Sequence, residues 1–268
     1  PTLGLMVQLS TQAATITSLA PALMAVQDSD SRQLLWQQLN SGTQAVASLL
    51  PNIPQIRSSA SIQLVSLDSQ FQDVTKTLNA LNENILEQLK LKTDKDAESQ
   101  KLRWVVSDFL AEINPLIGNT QNYIRSRFNE DIPTSGIVFN PRGERSITQL
   151  NTDLQGLFRL KADTSLLVNL VGRAHHLPDS DSLIATAMQA NALVASILQY
   201  INIMSYVKGL SELRVTVNQV IEFVNRDLNM FELRRQERLQ LEAGKKLLTS
   251  LESQLASFND YINAHVSS

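Results

Sequence analysis

The feature that most constrains this chain is a seam of apolar residues recurring at intervals of three and four. Leu64, Leu67, Phe71, Val74, Leu78, Leu81, Ile85 and Leu89 keep that interval without interruption. With 3.6 residues per turn, an α-helix lines all of them up on one stripe. The same interval holds for Leu213, Val217, Val220, Val224, Leu228 and Phe231, and again for Leu241, Gly244, Leu248, Leu251, Leu255, Phe258 and Ile262. Strand-type alternation is sustained nowhere, so the chain is expected to be all-α.

Helix breakers then divide the sequence into six predicted helices. The first covers 2–27 and tolerates Pro21; the second covers 31–50 and is stopped by Pro51 and Pro54. The third runs over 58–128 with a kink near Pro115, and the Pro- and Gly-containing segment 129–145 forms the longest loop. A fourth helix over 146–176 ends before Pro178, a fifth covers 179–206, and a sixth runs from the bend at Gly209 over 210–264. At about 1.5 Å per residue the third and sixth helices reach about 80 to about 105 Å, too long for one bundle. The lengths therefore predict two stacked four-helix bundles sharing two long helices. One bundle is expected over 1–92 plus 234–268, the other over 93–233.

The seam turns polar part-way along both long helices. Past Leu89 the stripe continues through Lys92, Asp96, Ser99 and Arg103 before Val106, and past Phe231 it continues through Arg234 and Arg238. These stretches are expected to face each other at the junction of the bundles, where charges must be wet or paired. Two further stretches, 1–27 and 182–207, carry no charge. Amides such as Gln8, Gln189, Asn191 and Asn202 would be expensive in lipid, so both are read as core helices rather than membrane spans. The chain starts at Pro1 without a signal peptide and is expected to be a segment of a longer protein.

Composition removes several function classes. There are 23 Lys and Arg against 26 Asp and Glu, a formal charge of −3, and no basic run. A surface that tracks phosphates is therefore not expected, and nucleic acid is excluded as a partner. The absence of cysteine leaves the fold without disulfides or thiolate metal sites. His175 and His176 are adjacent, so on a helix they would point to different sides and could not ligate one metal as an i, i+4 pair does. They are read as a helix C-terminal pair. No phosphate loop, nucleophile elbow or Glu-x-x-His pair is present, so neither catalysis nor any cofactor or metal is predicted.

Four stretches resemble one family. They are Pro1-Thr2 with Gln8-Leu9-Ser10, Ile16 and Ala20-Pro21-Ala22-Leu23; Asn114-Pro115-Leu116-Ile117; Leu166-Leu167-Val168-Asn169-Leu170-Val171; and Phe231-Glu232-Leu233-Arg234-Arg235-Gln236-Glu237. Together they resemble the periplasmic sensor regions of TorS-type hybrid histidine kinases of trimethylamine-N-oxide respiration, with bimodular chemoreceptor domains as near neighbours. The resemblance implies a homodimeric periplasmic domain of an inner-membrane protein, flanked by membrane helices and signalling to a cytoplasmic kinase. It also implies a periplasmic binding protein, TorT, as the partner that presents the signal.

Two groups of residues are candidates for recognition. Arg234 and Arg238, four apart on one helix face, together with Arg103 can receive a carboxylate or phosphate ligand bidentately. The alternative is that they pair with Asp94, Asp96 or Glu98. In the loop, Ile132, Ile137, Val138 and Phe139, with Phe128 beside them, either dock a partner protein or fold back to close the end of a bundle. Trp36 and Trp104 are expected to be packed. The resulting expectation is a non-catalytic sensor that converts ligand or partner binding into a small displacement of its first and last helices. The alternative functions are the ligand-binding domain of a chemoreceptor recognising small organic acids and a soluble helical scaffold.

Overall fold

Side chains that terminate helices determine where each one starts. Asp28, in extended backbone, accepts a hydrogen bond from the Ser31 amide at 2.7 Å and thereby opens a helix. These hydrogen bonds hold its carboxyl below the ordinary range. Asp179 does the same for Ser182 at 2.6 Å. Ser146 and Gln149 form a reciprocal capping box.

The computed structural model describes the backbone of residues 2–53, 57–130, 146–204, 207 and 209–266. Among these it contains α1 (Thr2–Met24), α2 (Ser29–Leu49), α3 (Arg57–Glu130), α4 (Ile147–Arg173), α5 (Ser180–Ile203), α6 (Leu210–Asn225) and α7 (Met230–Val266). Short 3₁₀ turns follow α2 at Leu50–Asn52 and α4 at Ala174–His176. No strand occurs among the described residues, and the protein is all-α.

The predicted sixth helix is in fact two. Asn229 caps both sides of the break: its Nδ2 donates to Val224 O at 2.8 Å and Arg226 O at 3.0 Å, and its Oδ1 accepts from the Glu232 amide at 3.0 Å. Leu228, which the stripe placed inside, is 59% exposed in this gap. The apolar interval continues across the gap, so spacing alone could not reveal it.

The chain divides into two units. Unit 1 comprises Pro1–Thr93 and Gln236–Ser268; unit 2 comprises Asp94–Arg235. Helices α3 and α7 contribute residues to both. In unit 1 one core cluster joins Leu9 and Ala13 of α1 to Val46, Phe71, Phe258 and Ile262, and another joins Ile16, Ala20 and Leu23 to Leu39, Leu78, Leu81, Leu251 and Leu255. Unit 2 is built on Phe109, Ile113, Leu157, Leu160, Leu167, Ile197, Leu213 and Val217, among others.

The polar stretch of α3 faces differently from the prediction. Lys92, Asp96 and Arg103 are exposed, whereas Leu91, Glu98, Leu102 and Phe109 turn inward. A straight helix drifts by about 20° per heptad, so a strict seven-residue stripe walks out of the core. The buried positions follow an eleven-residue step instead, through Leu91, Leu102, Ile113 and Ile124. On α5, Leu183, Ala190, Val194, Ile197 and Ile201 are buried while Ile184 and Met188 remain exposed. Among the described residues α5 is the one helix long and apolar enough to cross a membrane.

Candidate functional site

A helical core tolerates polar groups only where they are paired, so its buried polar contacts mark where the packing is specified most narrowly. Unit 2 has two such places. The first joins the start of α7 to the connection between α4 and α5. Arg234 donates from Nη2 at 3.0 Å and from Nε at 3.3 Å to the carbonyl oxygen of Leu177. Leu177 directly follows the 3₁₀ turn that carries His175 and His176. The two imidazoles do not diverge as predicted; their centroids are 3.9 Å apart at 55°. A 3₁₀ turn spaces successive residues by about 120°, so the backbone still fans them apart and the rings meet through the rotamers of their side chains.

The second place is Glu98, nearly buried on α3. Its Oε2 lies 3.2 Å from Arg226 Nη2 and its Oε1 lies 3.0 Å from Lys101 Nζ. The Arg226 guanidinium also sits 4.8 Å from the Phe223 ring centroid. Arg226, which the sequence reading did not single out, therefore takes the carboxylate offered to Arg234 or Arg238. Its position in the α6–α7 gap, invisible to the periodicity, explains the omission.

Unit 1 holds a polar layer between α3 and α7. Asn84 Nδ2 donates to Gln240 Oε1 at 2.6 Å and to Gln240 O at 3.0 Å, and Gln88 Nε2 donates to Asn84 Oδ1 at 2.7 Å. Gly244 makes room for this layer: a Cβ there would lie 2.5 Å from Asn84 Oδ1. Nearby, Arg32 Nη1 donates to Asn82 Oδ1 at 2.7 Å. An open groove of about 980 Å³ also runs between α2 and α3, floored by Leu50, Ile53 and Phe71 and edged by Asp68, Lys76 and Glu83. Asn84, Gln88, Gln240, Arg32 and Asn82 were not singled out in the sequence, whereas Gly244 stands out there as the one residue without a side chain in its apolar stripe.

The predicted recognition residues fall as follows. Arg103 and Arg234 belong to unit 2 and Arg238 to unit 1. Arg103 is exposed; Arg234 and Arg238 are half-buried. Ile132, Ile137, Val138 and Phe139 lie outside the described residues, while Phe128 is 56% exposed. Trp36 packs against the core of unit 1, but Trp104 is 67% exposed, because it shares the outward phase of Arg103. Among the described residues no three His, Asp or Glu side chains are grouped to hold a metal ion.

Solved structures supply the comparison. The TorS sensor domain in its complex with TorT in the presence of TMAO matches with a TM-score of 0.78 and 13% identity, over 99% of this chain and 98% of that one. The chain has the TorS sensor-domain fold. The TorS sensor domain of a V. parahaemolyticus histidine kinase matches with a TM-score of 0.73 and 15% identity, over 100% of this chain and 99% of that one. No protein-family model and no curated protein matches the chain. The TorS likeness is thus one of backbone, and at this identity it leaves the side chains described above to be argued on their own chemistry.

Proposed function

We propose that this chain is the periplasmic sensor domain of a TorS-like two-component histidine kinase and has no catalytic activity itself. In this reading it receives a signal from a periplasmic binding protein of the TorT kind. The observation that carries the proposal is coverage: the TorS sensor domain bound to TorT matches end to end, with 99% of this chain and 98% of the other aligned. Both α1 and α7 contribute to the core of unit 1, so a signal can leave as a shift of one against the other. Packed helices move between discrete arrangements by about 1–2 Å, and a helix that continues into a membrane segment carries such a shift across it.

The partner reading is tested by isothermal titration of the chain with a TorT-type binding protein, with and without trimethylamine N-oxide. Association that changes with the small molecule is expected; absence of association in both conditions would contradict it. Homodimer formation belongs to the same proposal and is checked by light scattering of the chain alone and in the complex.

A further inference from the structure

Within unit 2, the contact between the α4–α5 connection and the start of α7 contains a feature that no role in partner docking calls for. His175 Nδ1 is buried and has no hydrogen-bond partner among the described residues. A bare imidazole nitrogen in such a position is tolerable because the neutral ring carries its proton on the other nitrogen. Protonating it creates an orphan N–H and a charge in the same place. The charged and titratable groups around the ring are His176 on its own turn, Lys95 and Asp96 on α3, and Arg234 on α7. Two of these are permanent cations, against a single carboxylate. Arg234 is the same residue that holds Leu177 O.

We propose that His175 is the proton-responsive part of a clasp: on protonation it places a further cation beside Arg234 and Lys95, weakens the Arg234–Leu177 hydrogen bonds and loosens the first turn of α7. The proposal concerns unit 2 alone and stands or falls independently of the partner assigned above. The direction of the effect follows from linkage. Burial, then His176, Lys95 and Arg234, hold the His175 imidazole below its ordinary value, with Asp96 opposing. A base depressed in the folded state contributes its full stability above the unfolded value of about 6.5 and loses it as the pH falls from there toward the folded value. Acidification therefore opens the clasp, and neutral or alkaline conditions keep it closed.

Three measurements on the whole chain test this. The chain has three histidines, so their imidazole resonances can be assigned and titrated individually. The His175 ring is expected to titrate below about 6.5. Between about pH 7.5 and about pH 5.5 the thermal midpoint is expected to fall by about 2–4 °C more in the unmodified chain than in His175→Gln, while His176→Gln, which keeps the His175 imidazole but removes a neighbour that depresses it, keeps a slope steeper than that of His175→Gln. Over the same interval, backbone amides at 231–235 should lose exchange protection in the unmodified chain but not in H175Q, after correction for the intrinsic rate. A His175 titration at or above the ordinary value, equal slopes with and without the imidazole, or amides equally protected at both pH values would overturn the proposal. The imidazole titration and amide exchange of the unmodified chain decide the matter even if H175Q does not fold.

Discussion

Gly244 shows how much can depend on a single missing side chain. Adding a methyl group here gains about 1 kcal/mol of helix propensity. It also sets a Cβ 2.5 Å from Asn84 Oδ1, 3.0 Å from Gln88 Nε2 and 3.2 Å from Met24 Cε. Asn84 is short, buried and already committed to Gln240, so it cannot step aside without breaking hydrogen bonds worth about 1–3 kcal/mol once buried and unmade. Gly244→Ala is therefore expected to destabilise the protein by about 1 kcal/mol in chemical denaturation. Gly118→Ala is the control: it sits inside α3 with nothing within 4 Å of its Cβ, and is expected to stabilise by about 0.5–1 kcal/mol. Thr164 makes the complementary case. It is fully buried in α4 with its hydroxyl unpartnered among the described residues. Thr164→Val should be neutral or stabilising by up to about 1 kcal/mol, and a marked loss would show that the hydroxyl has a partner.

At the scale of elements, the phase of α3 is the quantity to test. Leu102 is 5% exposed and Trp104, two residues on, is 67% exposed. Leu102→Ala should cost about 2–5 kcal/mol, whereas Trp104→Ala should stay within about 0.5 kcal/mol in the isolated chain. Reversed values would restore the strict heptad stripe. The α6–α7 break yields a second prediction: Asn229→Ala removes the acceptor for the Glu232 amide and should cost about 1–2 kcal/mol. These two places also show what the sequence could and could not disclose. Phe71, Val74, Leu78, Leu81 and Ile85, and then Leu251, Leu255, Phe258 and Ile262, are buried where their spacing put them. Apolar spacing reports a helix and its inner face, and the TorS resemblance was borne out at the level of fold. It does not report a break that preserves the spacing, nor a slow change from a seven- to an eleven-residue step. The polar contacts were harder still to read. Asn84 meets Gln240 across 156 positions of sequence, and Arg226 meets Glu98 across 128. A pairing of that kind depends on which helices lie side by side, and no local pattern records it.

At the scale of the molecule, the two units divide the chemistry unequally. Unit 2 contains the Glu98–Arg226 pair and the Arg234–Leu177 contact; unit 1 contains the polar layer at Gly244 and the cores shared by α1 and α7. The proposed relay needs a packed arrangement that can be shifted. In unit 1, α1 and α7 form such an arrangement, because each buries one face against the same clusters. The most direct test exchanges this chain for the sensor domain of a TorS-type kinase and introduces a disulfide between α1 and α7 within unit 1. The account predicts that the hybrid kinase responds to its signal when the cysteines are reduced and loses the response, whatever its basal output, when they are oxidised. An unchanged response in the oxidised form, with the crosslink shown to be complete, would contradict it.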